Sequence, residues 1–372
     1  METDTPMALH ERTRLVKNYL SANKESPVTN AYAEALLEIA ESIHDDELDQ
    51  YTLGQLLVGL FDSRIEPIST HIEDTGQEAA IAICALNNSA QLVKPYIEHY
   101  KSIGVQQFVF IDNGSTDNTV ATIRDASQDD TEIDIWSTDD RFDGFKAMGW
   151  KQRMFLHYGL DKWYLNLDID EHFVYPNSEV VDISSFANRA TQLGQQTVGA
   201  MLVDMYPDAD VTRIYFDETS KLREIYSYFD RDTYTLIPNS KYNHRIFGGP
   251  RTRVFGRHPS LQKYPLTFVS SDTIGINPHF WYPYSINQRA GLSSALLHYK
   301  FLPGDIDKYR DYVQRGVHWD NSSQYRSYVD GVDRMGGVNF YHHAHSHRYD
   351  NSGDLAAIAT EQGVPLITDI IE

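Results

Sequence analysis

The 372 residues are 41% hydrophobic and 12% aromatic, the make-up of a globular chain and not of a disordered one. Acidic residues outnumber basic ones 53 to 32, and the formal charge of −21 argues against nucleic acid or an anionic lipid surface as a partner. A lone cysteine, Cys84, excludes an internal disulfide and a cysteine-based zinc site. No apolar run reaches the roughly 18–20 residues of a membrane span, and the N-terminus lacks a signal-peptide pattern. A cytoplasmic protein is expected, with no transmembrane segment and at most peripheral membrane contact.

Residues 1–77 read as a helical extension. Tyr32, Leu36, Ile39, Ala40 and Ile43 recur at helical spacing, and Thr52 with Gln55 resembles a capping box before the apolar stretch 53–61. The pattern changes at Ala80. Residues 80–86 are a continuous apolar run suited to a buried strand. A helix follows, with Pro95 near its first turn and Gly104 at its end. Strands are expected over 107–111, 133–136 and 163–167, and helices over 118–124 and 146–158. This alternation predicts an α/β layer with a mainly parallel sheet flanked by helices.

Beyond Pro176 the alternation is irregular. Residues 197–203 read as a strand, 241–283 as loops and short strands shaping a pocket, and 305–318 and 322–332 as helices. Three regions are therefore expected: the extension (1–77), a central α/β domain (78–302) and a helical C-terminal region (303–372).

The strongest chemical signal is Asp168-Ile169-Asp170-Glu171, directly after an apolar strand. In open α/β sheets ligands sit beyond the carboxyl ends of strands. Three crowded carboxylates repel one another, and Mg²⁺ or Mn²⁺ relieves that while bridging to a diphosphate. A second signal is the turn-rich 112–119, where Asp112, with Asn113 beside it, either accepts hydrogen bonds from a nucleotide or caps the next helix. Arg251 and Arg253, in a Gly-Gly-Pro-Arg-Thr-Arg segment, suit either a diphosphate contact or a tight surface turn. Trp281 and Trp319 are candidates for stacking on a sugar face, or for burial in the core.

Three segments carry a family resemblance: Ile83-Cys84-Ala85-Leu86-Asn87-Asn88, Phe110-Ile111-Asp112-Asn113-Gly114-Ser115-Thr116-Asp117 and Leu167-Asp168-Ile169-Asp170-Glu171. With the later His298-Tyr299-Lys300-Phe301-Leu302, the chain resembles family 2-type glycosyltransferases of the GT-A fold over about 80–321. The resemblance implies a Rossmann-like GT-A sheet, a nucleotide-sugar donor (most often a UDP-sugar), a glycan or lipid-linked acceptor, and inversion at the anomeric carbon. It assigns Asp112 to the nucleoside, Asp168 and Asp170 to the ribose and metal-diphosphate, and His298 to the metal site.

Two departures accompany it. Leu86-Asn87-Asn88 replaces the usual Lys-Asn-Glu, and the acidic pair that supplies the base in many inverting members is not evident. An inverting transfer needs a group to deprotonate the acceptor hydroxyl; Asp204, Asp272, Glu171 and His279 are the candidates. Three other functions compete. A metal hydrolase using the His342–His347 tract lacks a helical His-Glu-x-x-His frame. A sugar nucleotidyltransferase would carry a glycine-rich loop where Asn87-Asn88-Ser89-Ala90 stands. A non-catalytic carbohydrate-binding scaffold would not need the acidic cluster.

Overall fold

In the computed structural model, which describes residues 9–22, 35–38, 50–73, 80–127, 131–216, 221–239, 243–277, 279–316 and 319–367, the apolar runs become strands of one large sheet. In chain order these begin with β1 (Glu66–Ser69), β2 (Ile81–Leu86), β3 (Gln107–Asp112), β4 (Glu132–Ser137), β5 (Lys162–Leu167), β6 (Glu171–Val174) and β7 (Thr197–Asp204). Then come β8 (Tyr228–Asp230), β9 (Tyr234–Asn239), β10 (Asn243–Gly248), β11 (Gln262–Val269), β12 (Ile274–Asn277), β13 (Phe280–Tyr282), β14 (Leu292–His298) and β15 (Ser346–Arg348). Nine of them form the main sheet in the order β1-β4-β3-β2-β5-β11-β7-β14-β6.

The block β4-β3-β2-β5 is parallel throughout. Beyond it β11 runs antiparallel to both β5 and β7, β14 is parallel to β7, and β6 is antiparallel to β14. The fold is therefore α/β, with a sheet parallel through its first half and mixed beyond. Alternating side chains of β2 serve two cores: Ala82, Cys84 and Leu86 join one apolar cluster, Ile81 and Ile83 the other. Helices Ala90–Ser102 and Ile183–Gln192 cover the first face, and Gly144–Tyr158 covers the second.

The extension adds Val16, Leu53, Leu56, Leu57 and Leu60 to that second core, and its β1 pairs antiparallel with β4. Its described residues are thus helical with one strand. Thr52 lies inside helix Gln50–Leu57 and not at its cap. Gly59 and Gly149 let two helical segments touch: a Cβ on Gly149 would lie 2.4 Å from the Leu56 carbonyl oxygen. Tyr32, Ile39, Ala40, Ile43 and the junction at 77–78 lie outside the described residues.

One expectation fails in an instructive place. Residues 262–269, within the 241–283 region read as loops and short strands shaping a pocket, form the eight-residue β11 in the middle of the main sheet. Pro265 cannot donate to a ladder, and the β11–β7 register shifts between Lys263 and Leu266, around the proline. The bulge is how a central strand tolerates it.

The connection from β5 to β6 sets the shape of the site. Only residues 168–170 separate the two strands, and Glu171 N–H donates to the Asp168 carbonyl at 3.1 Å, closing a turn. Four residue steps reach at most about 14 Å. A flat sheet would hold β5 and β6, four positions apart, about 19 Å from each other. The half β5-β11-β7-β14-β6 therefore curls so that its strand ends close around one point. Among the described residues no helix is long and apolar enough to cross a membrane.

Candidate active site

The parallel block changes direction of growth at β2: β3 and β4 add on one side and β5 on the other. The crevice beyond the carboxyl ends of β2 and β5 is the switch point at which open α/β sheets take ligands. Asn87 and Asn88 follow β2, Asp112 ends β3, and Asp168 follows β5.

Three loops are tied together on the β3 side. Asn88 sits at φ 48°, a left-handed conformation that asparagine tolerates. Its Oδ1 accepts from Thr116 N–H (2.8 Å), the Thr116 hydroxyl (3.3 Å) and Asp117 N–H (3.2 Å). Asn113 Nδ2 donates to the carbonyls of Thr138 (3.2 Å) and Asp140 (2.7 Å), and Asn87 Nδ2 donates to the Asn113 carbonyl at 2.7 Å. Asn113 is thus a loop-binding residue with its amide in use. Asp112 is 5% exposed; its Oδ2 accepts from Ser115 N–H at 3.1 Å, while its buried Oδ1 has no hydrogen-bond partner among the described residues. A buried carboxylate oxygen left unpaired is costly unless a ligand completes it. Across the crevice, Lys308 of helix Asp305–Arg315 donates to the Asn88 carbonyl at 3.2 Å.

The second half of the site is aligned by strand register. His298, the last residue of β14, is paired with Glu171 on β6 and with Asp204 on β7. His298 Nδ1 lies 2.6 Å from Asp204 Oδ1, and its Nε2 lies 3.5 Å from Asp170 Oδ2. Asp204 Oδ2 also accepts from Arg251 Nε at 2.7 Å, and both side chains are buried. Burial opposes the charge on Asp204, but Arg251 and His298 outweigh it and bring its pKa down to about 2.

Three lysines hold the acidic cluster, a role that sequence reasoning gave to none of them. Lys300 Nζ lies 2.8 Å from Asp170 Oδ2. Lys263 Nζ lies 2.8 Å from Asp168 Oδ2 and 2.5 Å from Glu171 Oε1. Lys151 Nζ lies 3.6 Å from Asp168 Oδ1 and donates to Asn166 Oδ1 at 2.8 Å. Burial disfavours the charged forms of Asp168 and Asp170, yet Lys263 and Lys151 for the first, and Lys300 and His298 for the second, keep both well below the usual carboxylate range. Glu171 shifts the other way: burial and the charges of Asp168 and Asp170 raise it despite Lys263. Lys300 was legible as a residue of the His298–Leu302 segment; Lys263 and Lys151 carried no local signal.

Asp170, Glu171 and His298 each offer a ligand atom, all within 4.8 Å of one another. Two carboxylates and an imidazole are a donor set for Mn²⁺ or Mg²⁺, and a carboxylate behind the histidine is the usual way to orient such a ligand. Glu171 thus stands with Asp170 and His298 where Asp168 was expected; Asp168, its side chain 43% exposed, is the most open carboxylate of the cluster.

Other expected residues lie elsewhere or are already engaged. Asp272 follows β11, whose end pairs with the start of β5 (Val269 with Lys162), so it sits at the opposite end of the sheet from Asp168. It is exposed and accepts from the Ser270 hydroxyl. Asp204 and Glu171 are locked in buried ion pairs, which disfavours either as a base. His279 Nδ1 donates to the Gln262 carbonyl at 2.9 Å, leaving Nε2 as an acceptor, and burial with Lys263 lowers its pKa to about 4. Arg253 is bidentate to the buried Asp230 (3.0 and 2.8 Å) and reaches the Phe340 carbonyl, so it braces the fold.

Trp281 is 1% exposed with its Nε1 donating to the Tyr264 carbonyl, a core residue; the Trp319 side chain lies outside the described residues. In the histidine tract, His345 pairs with Asp232 and His347 with Asp354, and among the described residues the tract contributes to no three-ligand group.

No protein-family model matches the chain, and no curated protein matches it.

Proposed function

We propose that the chain is a glycosyltransferase of GT-A type that moves a sugar from a nucleotide-diphosphate donor, a UDP-sugar in the first instance, to a glycan or lipid-linked acceptor with inversion. The observation that carries this reading is the pairing, across one switch-point crevice, of an unsatisfied Asp112 carboxylate oxygen with the Asp170–Glu171–His298 donor set. Two strand spacings separate β3 from β5, about 10 Å, a span that suits a nucleoside at one end and its diphosphate at the other.

In this reading Asp112 accepts hydrogen bonds from the nucleoside and the open Asp168 contacts the ribose. Asp170, Glu171 and His298 would hold Mn²⁺ or Mg²⁺, which when bound neutralises charge on the departing diphosphate. Asp204 fixes the His298 ring with Nδ1–H toward itself and Nε2 toward Asp170. Lys263 and Lys300 stand beside the same carboxylates as cationic contacts for phosphate oxygens. With Asp204 and Glu171 in ion pairs and Asp272 distant, the unprotonated Nε2 of His279 is the proton acceptor for the attacking hydroxyl.

Calorimetric titration of UDP and GDP in the presence of Mn²⁺, Mg²⁺ or EDTA tests this, with Asp170→Asn as the comparison. Metal-dependent binding of one nucleotide, weakened in the variant, supports the reading. Absence of nucleotide binding under every condition rejects it.

A further inference from the structure

The acidic cluster carries its own counterions. Asp168, Asp170, Glu171 and Asp204 supply four carboxylates, and Lys151, Lys263, Lys300 and Arg251 supply four cationic groups within ion-pair distance of them. The carboxylates and the lysine and arginine groups thus balance in number, four against four. Among the buried polar atoms near these groups that remain unpaired among the described residues are Nη2 of Arg251, whose side chain is 3% exposed, the Tyr234 hydroxyl, and Oδ1 of Asp112 at the nucleoside end of the crevice. The cluster's carboxylates are all engaged by cations, while these buried polar atoms are left without a partner.

We propose that Lys263 and Lys300 act as built-in counterions that keep a divalent cation out of the site until a nucleotide diphosphate arrives, so that cation and nucleotide bind as a pair. This rests on the reading of the site as one for a metal-bound nucleotide. A lone divalent ion reaching Asp170 would meet the ammonium of Lys300, 2.8 Å from the same carboxylate oxygen. It would leave two uncompensated positive charges in a largely buried cluster, a costly arrangement. A diphosphate with two negative charges removes that excess and gives both ammonium groups a new partner. Lys300 is suited to the exchange, because its side chain is 20% exposed on a flexible four-carbon stem. Lys263, 7% exposed, bridges Asp168 and Glu171 and holds the cluster together meanwhile.

The test is titration of Mn²⁺ followed by the electron paramagnetic resonance signal of the free ion, on the full chain alone and with saturating UDP. The wild type should bind Mn²⁺ at least ten times more tightly with UDP than without. Lys300→Met should bind Mn²⁺ without nucleotide at least ten times more tightly than the wild type does. Equal Mn²⁺ affinity with and without UDP, or no gain in a folded Lys300→Met, overturns the proposal. Should that variant not fold, Lys300→Gln takes its place with the same expected gain, and the wild-type result is cross-checked by linkage, which requires Mn²⁺ to tighten UDP by the same factor that UDP tightens Mn²⁺. Failure of UDP and GDP to bind at all rejects the functional reading as well; nucleotide binding with tight Mn²⁺ uptake by the free protein rejects the counterion role only.

Discussion

His298 is held between two aspartates, with Nδ1 2.6 Å from Asp204 and Nε2 3.5 Å from Asp170. The nearer one sets the tautomer and the farther one shares the proposed ligand. Asp204→Asn would present an amide to the ring, favour the opposite tautomer and put a proton on Nε2. Metal-dependent UDP affinity should fall about 10–100-fold. Calorimetry on the folded variant checks this, and undiminished affinity would remove Asp204 from the positioning role. Asp204→Ala, by contrast, strands the buried Arg251 and should cost about 3–5 kcal/mol of stability in urea unfolding.

Asp112 should behave differently, because one of its oxygens serves the loop and the other has no hydrogen-bond partner among the described residues. Asp112→Asn is expected to weaken nucleotide binding about tenfold or more, the worth of a hydrogen bond to a charged group. Its melting temperature should stay near that of the wild type. A large drop in melting temperature with unchanged affinity would make Asp112 a loop cap only.

Stability should depend on pH through a residue outside the site. His99 is buried, donates from Nε2 to the Phe173 carbonyl and accepts at Nδ1 from Arg223; burial and Arg223 lower its pKa from 6.5 to about 3. Between those values the unfolded chain holds a proton that the folded one does not. The contribution is complete above about pH 6.5 and falls by about 1.4 kcal/mol per unit as the pH drops toward 3. Urea midpoints at pH 7.5, 6.5 and 5 check this, and His99→Phe should show a shallower fall. Identical slopes would assign the pH dependence elsewhere.

The N-terminal extension should be sensitive to a single methyl group. Gly149→Ala forces a Cβ against the Leu56 carbonyl oxygen and the backbone of Gly59 and Leu60. Overpacking of this kind costs about 1–3 kcal/mol. Thermal unfolding should report that loss while UDP affinity in the folded protein is unchanged, since the atoms a Gly149 side chain would meet belong to residues 56–60 of the extension and to none of the acidic cluster.

Much of the first half was legible because its information is local. β2, β3, β4 and β5 are short apolar runs between helical patterns, and each was found to within a residue or two; β3 gains Asp112 itself. The acidic turn after β5 was legible for the same reason. β11 was not, because Pro265 masks a strand that only its bulge makes possible. Nor were the partners of the lysines: Lys263 meets Asp168 from 95 positions away and Lys300, though part of a legible segment, meets Asp170 from 130. Arg253 read as a ligand contact because nothing near it in sequence announces Asp230, 23 residues back. Which charge neutralises which is decided by strand order and curl, properties of the whole sheet.

The asparagine lacing beyond β2, β3 and β4 bears on how the crevice recognises its guest. Asn87, Asn88 and Asn113 spend their amide groups on neighbouring backbone, so this rim is ordered when the chain folds. A guest docking there meets a surface already in its final form and loses little entropy in arranging it. On the proposed reading, selectivity at that end would come from shape fixed in advance, because moving these loops to suit a different guest would break several hydrogen bonds at once.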